Sequence, residues 1–168
     1  MSPEVSQFLK LVSSQEIPVF LEPLTLEEKE IILLAVNNAS DPDQPGGSHW
    51  SLLIFSSQAK EFFHLDSSGS MNEFDAKLLA KKLFDFLVKK FDRFDFRFSE
   101  VPVIKQTNGY DCGIHLLSHA EHATRHYLMY GNADGLQPLE NSKVKTKREE
   151  ILKIILGFSN NPSDIKLG

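Results

Sequence analysis

The chain has 168 residues, enough for one domain with its own hydrophobic core, and its 41% hydrophobic and 24% charged residues are an ordinary globular balance. A formal charge of -5 argues against a protein that binds nucleic acid through a basic face. The single cysteine excludes an internal disulfide, and the longest apolar run, Ile31 to Val36, is too short to cross a bilayer. We therefore expect a cytoplasmic or nuclear monomer that uses no cofactor and binds neither nucleic acid nor membrane.

The first half of the chain predicts a helix, a buried strand and a hairpin. Ser2 and Pro3 are a typical N-cap and first residue of a helix. The short apolar run at Ile31–Asn37 predicts a buried strand, and the Pro, Gly and Asp content of residues 39–48 predicts a loop. The segments "HWSLLIF" and "EFFHLD" are rich in aromatic and aliphatic residues and predict a β-hairpin.

The second half predicts two long helices, a strand between them and a final helix. Apolar residues recur at helical spacing over 72–90 and over 112–130, whereas Phe94, Phe96 and Phe98 alternate with polar residues as in a half-exposed strand. Residues 130–142 read as a loop. The tail "KTKREEILKIILGF" predicts an amphipathic helix buried through Ile151, Ile154, Ile155 and Phe158. No linker divides the chain, so we expect one α+β domain over residues 1–168, a mixed sheet with helices at its flanks.

The hairpin places a histidine against a carboxylate. If the turn is centred between Ser57 and Gln58, His49 lies directly opposite Asp66, with the two Cβ atoms roughly 4.5–5.5 Å apart. A carboxylate that holds a histidine in one tautomer is the orienting half of a catalytic triad. A surface pair of no catalytic importance is the commoner explanation of such a pattern, and a one-residue shift would separate the two faces.

Cys112 lies where the loop "QTNGYD" gives way to a predicted helix. The unpaired N–H groups at a helix N-terminus favour a thiolate, and Gly113 leaves room beside the sulfur for a substrate backbone. Gln106, six residues upstream, can offer a side-chain amide to an oxyanion. A lone cysteine is more often a buried structural residue, but together with His49 and Asp66 it supplies the parts of a cysteine acyl-transfer site.

Other histidines offer competing interpretations. His64 precedes Asp66 by two residues and shares its face, so it is an alternative base, although a mid-strand position opposite Ser51 suits it less than His49. A second set lies at helical spacing and includes pairs with the separation of zinc ligands, but no HExxH motif accompanies it, so we expect a solvated helix face. That set consists of His115, His119, His122 and His126.

Three stretches, "GGSHWSLLIF", "FFHLDSS" and "QTNGYDCG", resemble the active-site motifs of the ubiquitin-like protein proteases, cysteine peptidases that mature and remove SUMO and Nedd-type modifiers. The "SPEV–QF", "FLEPL" and "KREEI" segments extend the resemblance over nearly the whole chain, nearest to the deneddylase branch. The resemblance implies a papain-like fold, a catalytic triad of Cys112, His49 and Asp66, and Gln106 in the oxyanion hole.

The resemblance also implies that the substrate is the Gly-Gly tail of a ubiquitin-like modifier, most simply of the Nedd type, in a precursor or joined to a lysine. The tail would pass through a narrow channel with Trp50 as one wall. Gly47, Asp111 and Gly113 are the other residues expected to contact it.

The deneddylases begin well before "SPEV", with a Trp-Leu-Asn-Asp type motif that has no counterpart here, so we expect a catalytic domain shortened at its N terminus. The missing motif leaves open a catalytically weak relative that binds a modifier without cleaving it. Two further alternatives are a SUMO-directed protease and an acyltransferase with the same triad.

Overall fold

Four strands form one mixed sheet in the computed structural model, which describes residues 1–41, 46–91, 93–132, 136, 139 and 141–159. Within these residues, β1, β2 and β3 are antiparallel neighbours in that order, and β4 joins the far edge parallel to β3. The strands are β1 (Ile31–Asn37), β2 (Trp50–Ser56), β3 (Glu61–Leu65) and β4 (Phe98–Glu100). The α+β class with a mixed sheet is confirmed.

Five α-helices accompany the sheet in the described residues: α1 (Pro3–Leu11), α2 (Ile17–Leu21), α3 (Glu73–Leu87), α4 (Cys112–Tyr130) and α5 (Asn141–Ser159). Two short 3-10 turns, Glu22–Leu24 and Leu26–Glu28, lead into β1. The Ser2 hydroxyl accepts a hydrogen bond from the Val5 N–H, which confirms the predicted helix start. No described helix has the length and apolar character needed to span a membrane.

The sheet separates two apolar layers. On one face, Leu53, Phe55 and Phe62 pack with α1, α2 and α3 in the larger hydrophobic cluster. On the other face, Leu52 and Ile54 of β2 pack with α4. Alternate residues of β2 therefore contact different helices, as the two-residue period of a strand requires.

The hairpin register differs from the predicted one by two residues. Ser56 pairs with Glu61 and Leu52 with Leu65, so the turn contains the four residues Ser57 to Lys60 rather than two. Lys60 has a left-handed backbone, φ 54°, in a turn that carries no glycine or asparagine to signal it. Because a two-residue shift preserves the face of every side chain, His49 and Asp66 still share a face.

The predicted strand over Phe94–Phe98 is wrong except at its last residue. The parallel register pairs Phe62 with Phe98, so residues before 97 would face the hairpin turn, where no ladder is available. The alternation itself reflects packing, since Phe94 and Phe96 both contact the ring of Phe84.

The predicted burial of the last helix is also wrong. Helix α5 begins at Asn141 and contacts α4 through its first half, where Val144 is buried and Lys147 pairs with Glu121. The predicted core residues share one helix face, but of these four only Ile151 is half-buried, and further apolar residues such as Leu152 lie outside that face. Five apolar side chains in the second half of α5 are more than half exposed: Leu152, Ile154, Ile155, Leu156 and Phe158.

Candidate active site

His49 and Asp66 form a buried hydrogen-bonded pair at the open end of the hairpin. His49 precedes β2 and Asp66 follows β3, and His49 Nε2 lies 2.6 Å from Asp66 Oδ1. The two side chains are 2% and 0% exposed, which excludes a solvated surface pair. The predicted juxtaposition is therefore present, but the pair meets diagonally, because the register places Asp66 opposite Ser51.

Asp66 is held as an anion by three donors. The backbone N–H groups of Ser68 and Asn72 donate to it at 2.8 and 2.9 Å, in addition to the His49 ring. Burial raises the pKa of this carboxyl, but the hydrogen bonds from Asn72, Ser68 and His49 outweigh burial, and the net pKa is lowered. Asn72 is the residue before α3, so the carboxylate also lies at the positive end of a helix.

The ionised carboxylate decides which nitrogen of His49 can act as a base. Asp66 can only accept, so His49 Nε2 carries a proton. In the neutral ring Nδ1 then has the free lone pair, which is the state a general base needs.

Two asparagines hold the backbone at His49. Asn38 Oδ1 accepts from the N–H groups of Ser48 and His49 at 2.7 and 3.1 Å, directly after β1. The buried amide of Asn72 donates to the carbonyl of His49 at 3.3 Å and to that of Val36 at 3.1 Å. The sequence does not reveal either role, since nothing local signals contacts over such sequence separations.

Cys112 is the first residue of α4, as predicted, and is 7% exposed. The charges of Asp111 and His49 both act on the pKa of His115, one turn further on, so the start of α4 lies within electrostatic range of His49. No hydrogen bond joins the thiol to His49 within the described part of the chain. Catalytic hydrogen bonds are often long before substrate binds, so this geometry is compatible with a nucleophile and its base.

Gln106 lies against the end of β3, beside Asp66. Its N–H donates to the Ser67 carbonyl at 2.8 Å, and its side-chain carbonyl accepts from the Ser67 hydroxyl at 2.7 Å. The amide nitrogen donates to the Asn108 carbonyl at 2.7 Å. The structure thus brings together Gln106 and Asp66, which the sequence separates widely.

The residues expected to contact substrate have different surroundings. Trp50 is half-buried and lines a cleft of about 490 Å³ between α1 and the segment after β1. A Cβ on Gly113 would meet nothing within 4 Å, consistent with open space beside Cys112. Asp111 is bound within the chain by Asn108 and Arg148, and both partners lower its pKa. Their contact with substrate remains a prediction.

Gly47 has a conformational reason to be glycine. Its φ is +83°, and an added Cβ would lie 1.9 Å from the side-chain oxygen of Asn37. This glycine therefore allows the close passage of the chain that leads into His49, whether or not it also touches substrate.

His64 is a structural residue. It is fully buried, with Nδ1 2.6 Å from Glu100 Oε1 and Nε2 2.8 Å from the Ser51 hydroxyl. Both ring nitrogens are therefore occupied, which leaves no free nitrogen to act as a base.

The expected solvated histidine face is wrong for two of its four members. His115 and His119 are 6% and 2% exposed, because α4 is covered by the sheet on one side and by α5 on another. Burial is the main cause that lowers the pKa of both, to about 4 for His119. Among the described residues, no group of three or more His, Cys, Asp or Glu side chains could hold a metal ion.

Comparison with known proteins agrees with this geometry. The family model described as the Ulp1 protease family, C-terminal catalytic domain, matches residues 8–155. The chain belongs to the Ulp1 protease family. Members of this family are cysteine peptidases, so the resemblance to the ubiquitin-like protein proteases is confirmed.

The relatives of this Ulp1-family chain include deneddylase-branch proteins. It is 38% identical over 151 residues to human sentrin-specific protease 8, covering 89% of this chain and 70% of that protein. It is 35% identical over 147 residues to NEDD8-specific protease 1 of Arabidopsis thaliana, covering 81% of this chain and 62% of that protein.

A solved structure shares the fold at lower identity. The C-terminal Ulp1 protease domain, crystallised in complex with SMT3, the yeast ortholog of SUMO, superposes with a TM-score of 0.56 at 21% identity. The match covers 90% of this chain and 64% of that one, so the chain spans less than two thirds of that solved domain.

Proposed function

We propose that this chain is a thiol isopeptidase and processing protease that cleaves after the C-terminal Gly-Gly of a ubiquitin-like modifier, with the Nedd type preferred. The observation that carries the proposal is the buried 2.6 Å contact between His49 Nε2 and the ionised Asp66. Such a pair can act as a general base when the opposite ring nitrogen exchanges a proton with a neighbour. The thiol of Cys112, at the start of α4, is the neighbour with suitable chemistry.

The proposed reaction has two halves. The Cys112 sulfur gives its proton to His49 Nδ1 and attacks the carbonyl of the terminal glycine, while the Gln106 amide donates to the oxyanion. The C–N bond then breaks as His49 returns the proton to the leaving lysine amine, which leaves a thioester on Cys112. Water, deprotonated by His49, hydrolyses the thioester and frees the glycine carboxylate and the thiol.

The Nedd preference rests on relatives. Human sentrin-specific protease 8 and the Arabidopsis NEDD8-specific protease match 89% and 81% of the chain respectively. The likeness to the SMT3-bound domain supports the fold alone, so SUMO is the weaker candidate. A usable thiol also requires a reducing compartment, and we propose the cytosol or nucleus.

The test is covalent labelling with C-terminal propargylamide probes made from Nedd-type, SUMO and ubiquitin modifiers. We expect one adduct with the Nedd-type probe, formed at Cys112 and absent in Cys112→Ala. Ser118→Ala, which changes a buried residue of the same helix, is the matched control and should still react.

Other outcomes separate the alternatives. If only the SUMO probe labels the protein, the preferred modifier is SUMO rather than the Nedd type. If the protein binds a modifier but forms no adduct with any probe, it is a binder that does not cleave. Labelling of Cys112 by acetyl-CoA, without reaction with any modifier probe, would favour the acyltransferase.

A further inference from the structure

The side-chain amide of Gln106 is held at both ends. Its Oε1 accepts from the Ser67 hydroxyl at 2.7 Å, and its Nε2 donates to the Asn108 carbonyl at 2.7 Å. Ser67 is 2% exposed, so water does not compete for this contact. The amide of Gln106 is therefore fixed by partners inside the chain before any substrate arrives.

These contacts decide which end of the amide is a donor. The Asn108 carbonyl can only accept, so a rotated amide would bring two acceptor oxygens together there. With Nε2 on the Asn108 side, Oε1 needs a donor on the other, and the Ser67 hydroxyl is that donor. Nε2 has two N–H bonds, and the Asn108 carbonyl uses one of them, which leaves the second for a ligand.

Ser67 is joined to Gln106 through its backbone as well. The Gln106 N–H donates to the Ser67 carbonyl at 2.8 Å, and the Lys105 ammonium donates to the Asp66 carbonyl at 3.0 Å. The segment 105–106 is therefore bound along residues 66 and 67. Of these two neighbours, Asp66 binds His49 and Ser67 binds Gln106.

We propose that Ser67 is a positioning residue that fixes the Gln106 amide with an N–H available to the oxyanion, so that the dipeptide Asp66–Ser67 orients both the base and the oxyanion donor. The inference rests on the proposed function for its catalytic consequence. Its structural content, the orientation and rigidity of the amide, is independent of that function.

The kinetic test compares single and double variants on a fluorogenic amide of the Nedd-type modifier. Gln106→Ala removes an oxyanion donor and should lower kcat by about 100- to 1,000-fold. Ser67→Ala should lower kcat by about 10-fold with KM within about 2-fold, because the amide is misplaced only part of the time. Ser67→Ala should have no further effect in the Gln106→Ala background.

A merely structural role would give a different pattern. If Ser67→Ala acted by loosening the fold, kcat would fall by the same factor in both backgrounds, and the inference would be overturned. Ser56→Ala is the matched control: it removes a fully buried serine that accepts from Ala59 at the other end of the hairpin, and kcat should not change.

A spectroscopic measurement tests the positioning without catalysis. The Gln106 side-chain amide is assigned in a ¹⁵N–¹H spectrum by its loss in Gln106→Ala. Ser67→Ala should move this signal toward the position of a free glutamine and lower its heteronuclear NOE, whereas Ser56→Ala should leave it in place. If the Gln106 signal is unchanged in Ser67→Ala, the inference is overturned, whether or not the protein cleaves a modifier. If the signal shifts but the wild-type protein cleaves no modifier, only the proposed function is rejected.

Discussion

Two histidines of this chain are buried beside carboxylates, yet their surroundings differ in one decisive respect. His64 uses both ring nitrogens, on Glu100 and Ser51. His49 uses Nε2 on Asp66, and no hydrogen bond to its Nδ1 is present in the described part of the chain. A general base needs a free lone pair, so only His49 is equipped to exchange a proton.

The first prediction compares these two histidines. His49→Ala should lower kcat/KM by at least about 1,000-fold, because both proton transfers lose their carrier, whereas His64→Ala should lower it by less than about 10-fold. His64→Ala should instead lower the melting temperature, since it leaves buried Ser51 without this partner and opens a cavity. Assays are run well below both melting points. Equal losses of kcat/KM would contradict the assignment of His49.

At the scale of elements, the position of His49, the proposed base, depends on how β1 connects to β2. Asn37 ends β1, and Asn38, directly after it, accepts a hydrogen bond from the N–H of His49. A Cβ added to Gly47 would collide with the side chain of Asn37. The position of His49 therefore depends on a glycine that has no chemistry of its own.

The second prediction uses two glycines with the same backbone conformation. Gly47 and Gly69 both have φ +83°, but a Cβ on Gly69 would meet nothing within 4 Å. Gly69→Ala should cost about 1 kcal/mol of unfolding free energy through backbone strain alone. Gly47→Ala should cost at least about 2 kcal/mol more, since Asn37 must move, and it should also lower kcat. Urea unfolding of both variants measures the difference, and equal costs would contradict the clash.

At the scale of the whole molecule, burial of α4 makes stability depend on pH. The pKa of His119 is lowered from 6.5 to about 4, by burial first and then by the charges of His115, His122 and Lys105. Between these values the unfolded chain binds a proton that the folded chain does not. Stability is therefore full above pH 6.5 and falls as the pH decreases toward 4.

The third prediction follows from the lowered pKa of His119 in the folded chain. The free energy of unfolding should fall between pH 7 and pH 4.5, and His119 should account for up to roughly 3 kcal/mol of the loss. His119→Gln should flatten this dependence. At pH 7.5 the histidine is neutral in both states, so the difference in unfolding free energy between His119→Gln and the wild type measures the change in packing alone. Urea titrations at four pH values provide the measurement. An equally steep dependence in His119→Gln would show that another group is responsible.

Much of this molecule could be predicted from local pattern. Helix α4 and strand β1 have the predicted bounds, because hydrophobic period and cap residues are properties of neighbouring positions. The pairing of Asp66 with His49 could be predicted even with a wrong hairpin register, since a two-residue shift leaves each side chain on the same face of the sheet. The absence of a strand over most of Phe94–Phe98 could not be predicted, because a strand needs a neighbouring strand in register with it, and β3 pairs with this segment only from Phe98 onward.

The sequence by itself determined the family, the α+β class and the residue types from which a cysteine-protease site can be built. Only the tertiary structure decided which nitrogens are bonded: both of His64, but among the described residues only Nε2 of His49. It also decided that two of the four histidines of α4 are buried and that Ser67 holds Gln106. The physical reason is the same in each case. A side chain's protonation and orientation depend on partners distant in sequence, such as Ser67 and Gln106, and their positions exist only once the chain is folded.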